Sequence, residues 1–253
     1  MGYFNQEAVD DLHNGLADLP RALLDLREAY AMREYKEGLA REHAQHGLCR
    51  RLATMVHSVQ TVFQILPPDL DTIPERAAVM DATAAIQTFV INAFGCMENL
   101  AWIWVLEKDL RGRRGAKLDR LEIGLGKRYV RPSFSDEFRA FLDGQKDWLA
   151  NLIGFRDGLA HRIPLYIAPY VIDDTAAEAH RALDTKAMAA LVEGNRVEYD
   201  RLRGEQQKLG RFRPWMTHSV YEKSPAILFH PQMIQDFKTV DSYCRMLLKE
   251  FGK

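Results

Sequence analysis

The window 84–106, AAIQTFVINAFGCMENLAWIWVL, restricts the fold of this chain more than any other stretch. A run so long and so apolar has two possible homes, a bilayer or the middle of a protein core. Gln87, Asn92, Glu98 and Asn99 lie inside it. Each would be costly in hydrocarbon, where polar groups find no water. The window therefore reads as the central helix of a bundle, apolar nearly all round because neighbours surround it. No membrane partner is expected.

A chain of 253 residues is long enough to supply those neighbours. We expect a single helical domain over 1–253, with a core over about 21–170 and a C-terminal appendage over 171–253. Lysine and arginine number 34 against 35 acidic residues, a formal net charge of −1. That balance gives no global attraction to nucleic acid, so any such contact must come from local patches. Cys49, Cys96 and Cys244 are odd in number, widely spaced and without a CxxC pair. They argue against a disulfide framework and for a reducing, cytoplasmic setting. The opening MGYFNQEAVDDL is acidic and polar, unlike a signal peptide.

Helical periodicity continues on both sides of the central window. NQEAVDDLHNGLADL is amphipathic and predicted to stop near Pro20. From there to Ile65 the apolar residues Leu23, Leu24, Leu26, Tyr30, Leu39, Leu48, Leu52, Met55, Val56, Val59 and Phe63 predict one kinked helix or two, weakest at Gly38 and Gly47. The prolines of LPPDLD end that run. Thr72 and Glu75 have capping-box spacing before a helix reaching about Lys108. Ser135 is the predicted N-cap of one long helix ended by Pro164. IPLYIAPYVI reads as extended, 184–209 as helical, and PWMTHSV and PAILF as short strands. A last helix is predicted from Pro231, burying Ile234, Phe237, Val240, Cys244, Leu247, Leu248 and Phe251. The fold class is mostly α: a helical bundle of about four to five long helices, with a short extended or β segment and a C-terminal helical appendage.

Chemistry concentrates in WLANLIGFRDGLAHRIPLYIAPY, 148–170, where Arg156, Asp157 and His161 sit close to a helix end. Arg156 and His161 are five residues apart, so a regular helix turns them roughly 140° apart. They reach one surface only if the last turn loosens, and Gly158 with Pro164 predicts that it does. An imidazole exchanges protons near neutral pH. A guanidinium offers a planar fork for phosphate oxygens and for charge developing on phosphorus. RNA brings its own 2′-hydroxyl nucleophile, so the pair suits phosphodiester cleavage without a metal or other cofactor. The plainer reading pairs Arg156 with Glu98 or Asp157 and lets His161 bond the last helical carbonyls.

The arginine–polar–(three or more residues)–histidine spacing at the end of a core helix resembles the motif of the HEPN superfamily. The resemblance is clearest over 74–170 and includes an acidic residue on an apolar upstream helix, here Glu98 in CMENLAWIW. It implies an up-down helical bundle, a homodimer whose two motifs share one cleft, and metal-independent endoribonuclease activity. It also implies a toxin or phage-defence setting, with an antitoxin or a nucleotide as further partners. Under it Arg156 contacts the scissile phosphate, His161 transfers protons, Asp157 fills the polar position and Glu98 supports the site. A two-fold axis would supply both a base and an acid from one motif histidine per chain. The polar position is often asparagine in that family. A carboxylate at Asp157 can hold an imidazole but also repel phosphate, so a non-catalytic dimerisation, nucleotide-binding or partner-binding module stands as the alternative.

Residues 111–131 gather Arg111, Arg113, Arg114, Lys117, Arg120, Lys127, Arg128 and Arg131 against Asp119 and Glu122. We expect this patch to follow an RNA backbone, with Tyr129 stacking on a base, unless it is only a solvated loop. A second basic run, RLRGEQQKLGRFR, covers 201–213. Tyr166 and Tyr170 are expected to border the substrate cleft. His43, His46 and Cys49 recur at intervals of three but lack a fourth ligand, so no metal site is expected. Trp102 and Trp104 read as core. No phosphate loop, Ser–His–Asp or HExxH pattern occurs.

Overall fold

The computed structural model describes residues 2–219 and 225–252. The mostly helical chain passes through α1 (Gln6–Ala31), α2 (Gly38–Glu42), α3 (Cys49–Ile65) and α4 (Arg76–Glu107). It continues through α5 (Asp136–Gly144), α6 (Lys146–His161), β1 (Tyr166–Ile167), β2 (Val171–Ile172), α7 (Ala177–Val192) and α8 (Arg196–Lys208). Then follow β3 (Gly210–Arg211), β4 (Trp215–Thr217), β5 (Ile227–Leu228) and α9 (Phe229–Phe251).

The apolar window lies within α4, which packs against α3, α6 and α9. Ile86, Phe89, Ala93, Cys96, Leu100, Ile103 and Trp104 are buried on several of its sides. α4 is long and apolar enough to cross a membrane, yet 67% of its most apolar window is buried inside the fold. Trp104 is core, as expected, and its indole N–H donates to Ser133 Oγ at 2.8 Å. Trp102 is half-buried.

Pro20 does not stop the first helix: α1 runs through it to Ala31. Val9, Leu12, Leu19, Leu26 and Tyr30 are buried along α1, which packs on α3 and α9. Burying each such side chain is worth about 1.5–3 kcal/mol. Together they outweigh the roughly 3 kcal/mol that an interior proline costs. The run breaks instead at 32–37. Beyond it α2 enters α3 through a π turn, His43–Leu48.

The capping box expected at Thr72 and Glu75 is absent, because Glu75 is itself the N-cap and makes no side-chain cap bond. Ser135 is a cap, and its hydroxyl accepts from the Phe138 N–H at 3.3 Å. The helix it begins is not continuous. It breaks at Gly144–Gln145, where glycine's poor helix propensity weakens the ladder. The segment 184–209 likewise divides into α7 and α8 at Gly194, whose φ of +75° suits glycine.

The strands are short. β1, β4 and β5 form an antiparallel sheet with Tyr166 opposite Thr217 and Trp215 opposite Leu228. β2 pairs with β3. The α7–α8 hairpin has its own small apolar cluster of Ala187, Ala190 and Leu202. α9 starts two residues before Pro231 and is not part of an appendage. It packs on α1, α3 and α4, and Phe237, Val240, Cys244 and Leu247 are completely buried in the main core.

Candidate functional site

α6 stays regular to its end. The Arg162 N–H bonds the Gly158 carbonyl at 3.1 Å, so the expected loosening between Arg156 and His161 does not occur. Gly158 serves a different need. A Cβ there would stand 3.3 Å from the Ile163 carbonyl oxygen and 3.8 Å from the His218 ring. It lets the chain fold back tightly over the helix end. Arg156 and His161 therefore keep the helical separation of roughly 140°.

Arg156 is half-buried. Its Nη1 pairs with Asp157 Oδ1 at 2.8 Å, and its guanidinium carbon lies 4.2 Å from the Phe94 ring centre. Its Nε is buried without a partner among the described residues. Arg156 takes Asp157, not Glu98, as its ion-pair partner. Asp157 lies between Arg156 and His161 around the helix, and His161 follows it by one turn. His161 is exposed on the last turn, and its side chain makes no hydrogen bond among the described residues.

Arg156 and Glu98 line one cleft of about 860 Å³, floored by Phe94, Met97, Leu149 and Ile153. The basic connection 111–131 folds back to form its wall and contributes Arg120, Lys127 and Arg131. Lys146 and Asp143 add to the rim. Hydrogen bonds from Lys146 and from Arg131, each 2.7 Å long, hold the Asp143 carboxyl below its ordinary range. Five cations thus face two carboxylates, and Arg131 and Lys146 already share Asp143. Arg120, Lys127, part of Arg156 and the exposed Glu98 remain to meet a ligand. An anionic ligand with a flat or apolar body matches this lining.

The other residues singled out in the sequence fall elsewhere. Arg111 pairs with Asp109, and Arg113, Arg114, Lys117 and Arg128 are exposed but do not line the cleft. The Arg128 guanidinium lies 5.6 Å from the Tyr129 ring centre, covering part of the surface on which a base was expected to stack. Tyr166 lines a separate shallow pocket with Arg76, Met80 and Gln87. Tyr170 turns toward α7, where its hydroxyl is 3.3 Å from His180 Nε2. Neither tyrosine borders the Arg156 cleft, because β1 and β2 carry the chain away from it. In the second basic run Arg201, Arg203 and Lys208 are paired with Glu198, Asp184 and Glu205.

His218 near the helix end was not foreseen. Pairing of β4 with β1 brings it beside Gly158, with its ring 6.1 Å from Phe155. Only the strand pairing reveals this neighbourhood, and the local sequence does not encode it. His43, His46 and Cys49 do not form a ligand set, and among the described residues no three His, Cys, Asp or Glu side chains are placed to hold a metal ion. All three cysteines are free and buried, and burial pushes their thiols up. No family model, curated protein or solved structure matches this chain.

Proposed function

We propose that this protein is a metal-independent endoribonuclease of the HEPN kind, acting as a homodimer. The observation that carries the reading is the fold-back of the basic connection, which sets Arg120, Lys127 and Arg131 around the cleft of Arg156 and Glu98. The part of the Arg156 guanidinium left over by Asp157 would contact a non-bridging oxygen of the scissile phosphate, with the neighbouring nucleotides held by the flanking cations. The 2′-oxygen would form a bond to phosphorus as the bond to the 5′-oxygen breaks. The 2′-hydroxyl proton would pass to one imidazole, and a second imidazole would protonate the leaving 5′-oxygen. The reading requires a homodimer in which the exposed His161 of each copy faces one phosphate, the two imidazoles serving as base and acid. A toxin or phage-defence role, with an antitoxin as neutralising partner, belongs to the same reading.

The test is RNA cleavage in the presence of a chelator, with wild type, Arg156→Gln and His161→Ala compared at equal dimer content. Loss of cleavage in both variants supports the reading. Unchanged cleavage in His161→Ala removes it.

A specific observation favours a second reading, a non-catalytic dimerisation, nucleotide-binding or partner-binding module. Asp157 already holds Arg156, and the regular helix turns His161 away. That module would bind RNA or a nucleotide in the cleft and leave it uncut.

A further inference from the structure

The cleft between α4 and the basic connection holds two carboxylates in different surroundings. Asp143 is met by Arg131 and Lys146, each at 2.7 Å. Glu98 is exposed and, among the described residues, makes no hydrogen bond or ion pair. Arg120, Lys127 and Arg156 line the same cleft, yet none of them pairs with it. Glu98 stands one turn beyond Phe94 on the same side of α4. The Arg156 guanidinium covers the Phe94 ring, its carbon 4.2 Å from the ring centre. A cation and an open carboxylate are therefore set along one helix face, and Met97, Leu149 and Ile153 supply the apolar surface of the same cavity.

Toward a phosphate backbone this carboxylate is only repulsive. An ionised carboxylate accepts hydrogen bonds and donates none, so the ligand that suits Glu98 offers donors to both of its oxygens. In single-stranded RNA such donors lie on the exposed base edges. Guanine carries its N1–H and its N2 amino group side by side, and a carboxylate takes both in parallel. Adenine sets its amino group beside the N1 lone pair, and cytosine sets its own beside the N3 lone pair. Uracil has one N–H between two carbonyl oxygens. With each of these three, the second carboxylate oxygen meets a lone pair.

The rest of the cavity suits the rest of a guanine nucleotide. The base is a flat body whose faces are largely apolar, and Met97, Leu149 and Ile153 give it a surface to lie on. The phosphate is an anion at the other end of the nucleotide from the base edge. Arg120, Lys127 and the part of Arg156 not taken by Asp157 are the cations left for it. The cleft volume of about 860 Å³ is ample for one nucleotide and its neighbour.

We propose that the cleft selects guanine, with the Glu98 carboxylate accepting from guanine N1–H and N2–H while Arg120, Lys127 and Arg156 hold the adjoining phosphate. Glu98 is then a specificity-determining residue that reads the base. The inference rests on the reading that this cleft takes single-stranded RNA, and it does not depend on the RNA being cut.

The test uses the whole chain and short 2′-O-methyl oligouridylates with guanine, hypoxanthine or adenine at one central position. The methyl group blocks the 2′-oxygen, so binding is measured apart from cleavage, by fluorescence anisotropy at constant ionic strength. The guanine probe should bind about tenfold or more tightly than the adenine probe, as expected for one bidentate base contact. The hypoxanthine probe, which keeps N1–H and lacks the N2 amino group, should fall between them. Glu98→Gln, which replaces one acceptor oxygen by a donor amide, should bring the guanine and adenine probes to within about twofold of each other. Equal binding of guanine and adenine by wild type overturns the proposal, as does binding of none of the probes or a guanine preference that survives Glu98→Gln. The wild-type series decides this without any variant. Guanine-selective binding without cleavage of unmodified RNA upholds the proposal and removes the nuclease reading. Cleavage with no preference for guanine in binding overturns the proposal and leaves the nuclease reading standing.

Discussion

Asp236 on α9 is buried, with 7% of its surface exposed, and its Oδ1 accepts from Trp148 Nε1 at 2.8 Å and Gln232 Nε2 at 2.7 Å. Burial outweighs these two donors and raises its pKa from 3.8 to about 6. The folded pKa lies above the unfolded one, so the folded state holds the proton more tightly. Stability from this group is fully present below the unfolded value and is lost as pH rises through about 6. A shift of about two units, at 1.36 kcal/mol each, makes the ionised carboxylate cost about 3 kcal/mol at alkaline pH. Asp236→Asn keeps an oxygen for both donors and removes the charge. We expect it to raise the unfolding free energy at pH 8 by about 1–3 kcal/mol and to match wild type near pH 4. Urea unfolding followed by far-ultraviolet circular dichroism at pH 4, 6 and 8 measures both. A variant less stable than wild type at pH 8 would show that the carboxylate itself stabilises the fold and would refute the reasoning. The same gain at pH 4 as at pH 8 would refute it too.

Three further outcomes follow from the same geometry. His230 Nε2 lies 2.6 Å from the Leu66 carbonyl oxygen, and burial lowers its pKa from 6.5 to about 4. The unfolded chain therefore takes up its proton first, and in an Asp236→Asn background stability should fall by about 3 kcal/mol between pH 6.5 and pH 4 in urea unfolding, a fall that His230→Gln should largely remove. Gly95→Ala drives a Cβ into Arg51 and should lower the unfolding free energy by about 1–2 kcal/mol, even though alanine's helix preference opposes the loss by up to about 1 kcal/mol. If the cleft holds single-stranded RNA, Arg120→Gln with Lys127→Gln should reduce the slope of log affinity against log salt by about 1.4, about 0.7 per phosphate contact, measured by fluorescence anisotropy.

The parts of the fold legible in the sequence are those that local physics dictates. The central window had to be buried, and Ser135 caps α5 because one hydroxyl satisfies one orphan N–H. The apolar stripe of α9 was legible, but not its place in the core, which depends on packing with α1, distant in sequence. Pro20 misled because local cost was visible and the buried face that overrides it was not. At the candidate site, the 140° between Arg156 and His161 follows from helix geometry alone, and the regular last turn preserves it. The convergence of Arg120, Lys127 and Arg131 on Arg156 needs the fold-back of the connection. The turn of Tyr170 toward His180, and the arrival of His218 at Gly158, need strand pairings that no local pattern carries.

The most direct measurement is the chemistry of RNA ends left by the purified wild-type protein in the presence of a chelator. The account predicts 2′,3′-cyclic phosphate and 5′-hydroxyl ends, detected by mass spectrometry, that vanish with His161→Ala while the dimer persists. RNA that binds in the cleft but stays intact, or cleavage ends that survive His161→Ala, would contradict it.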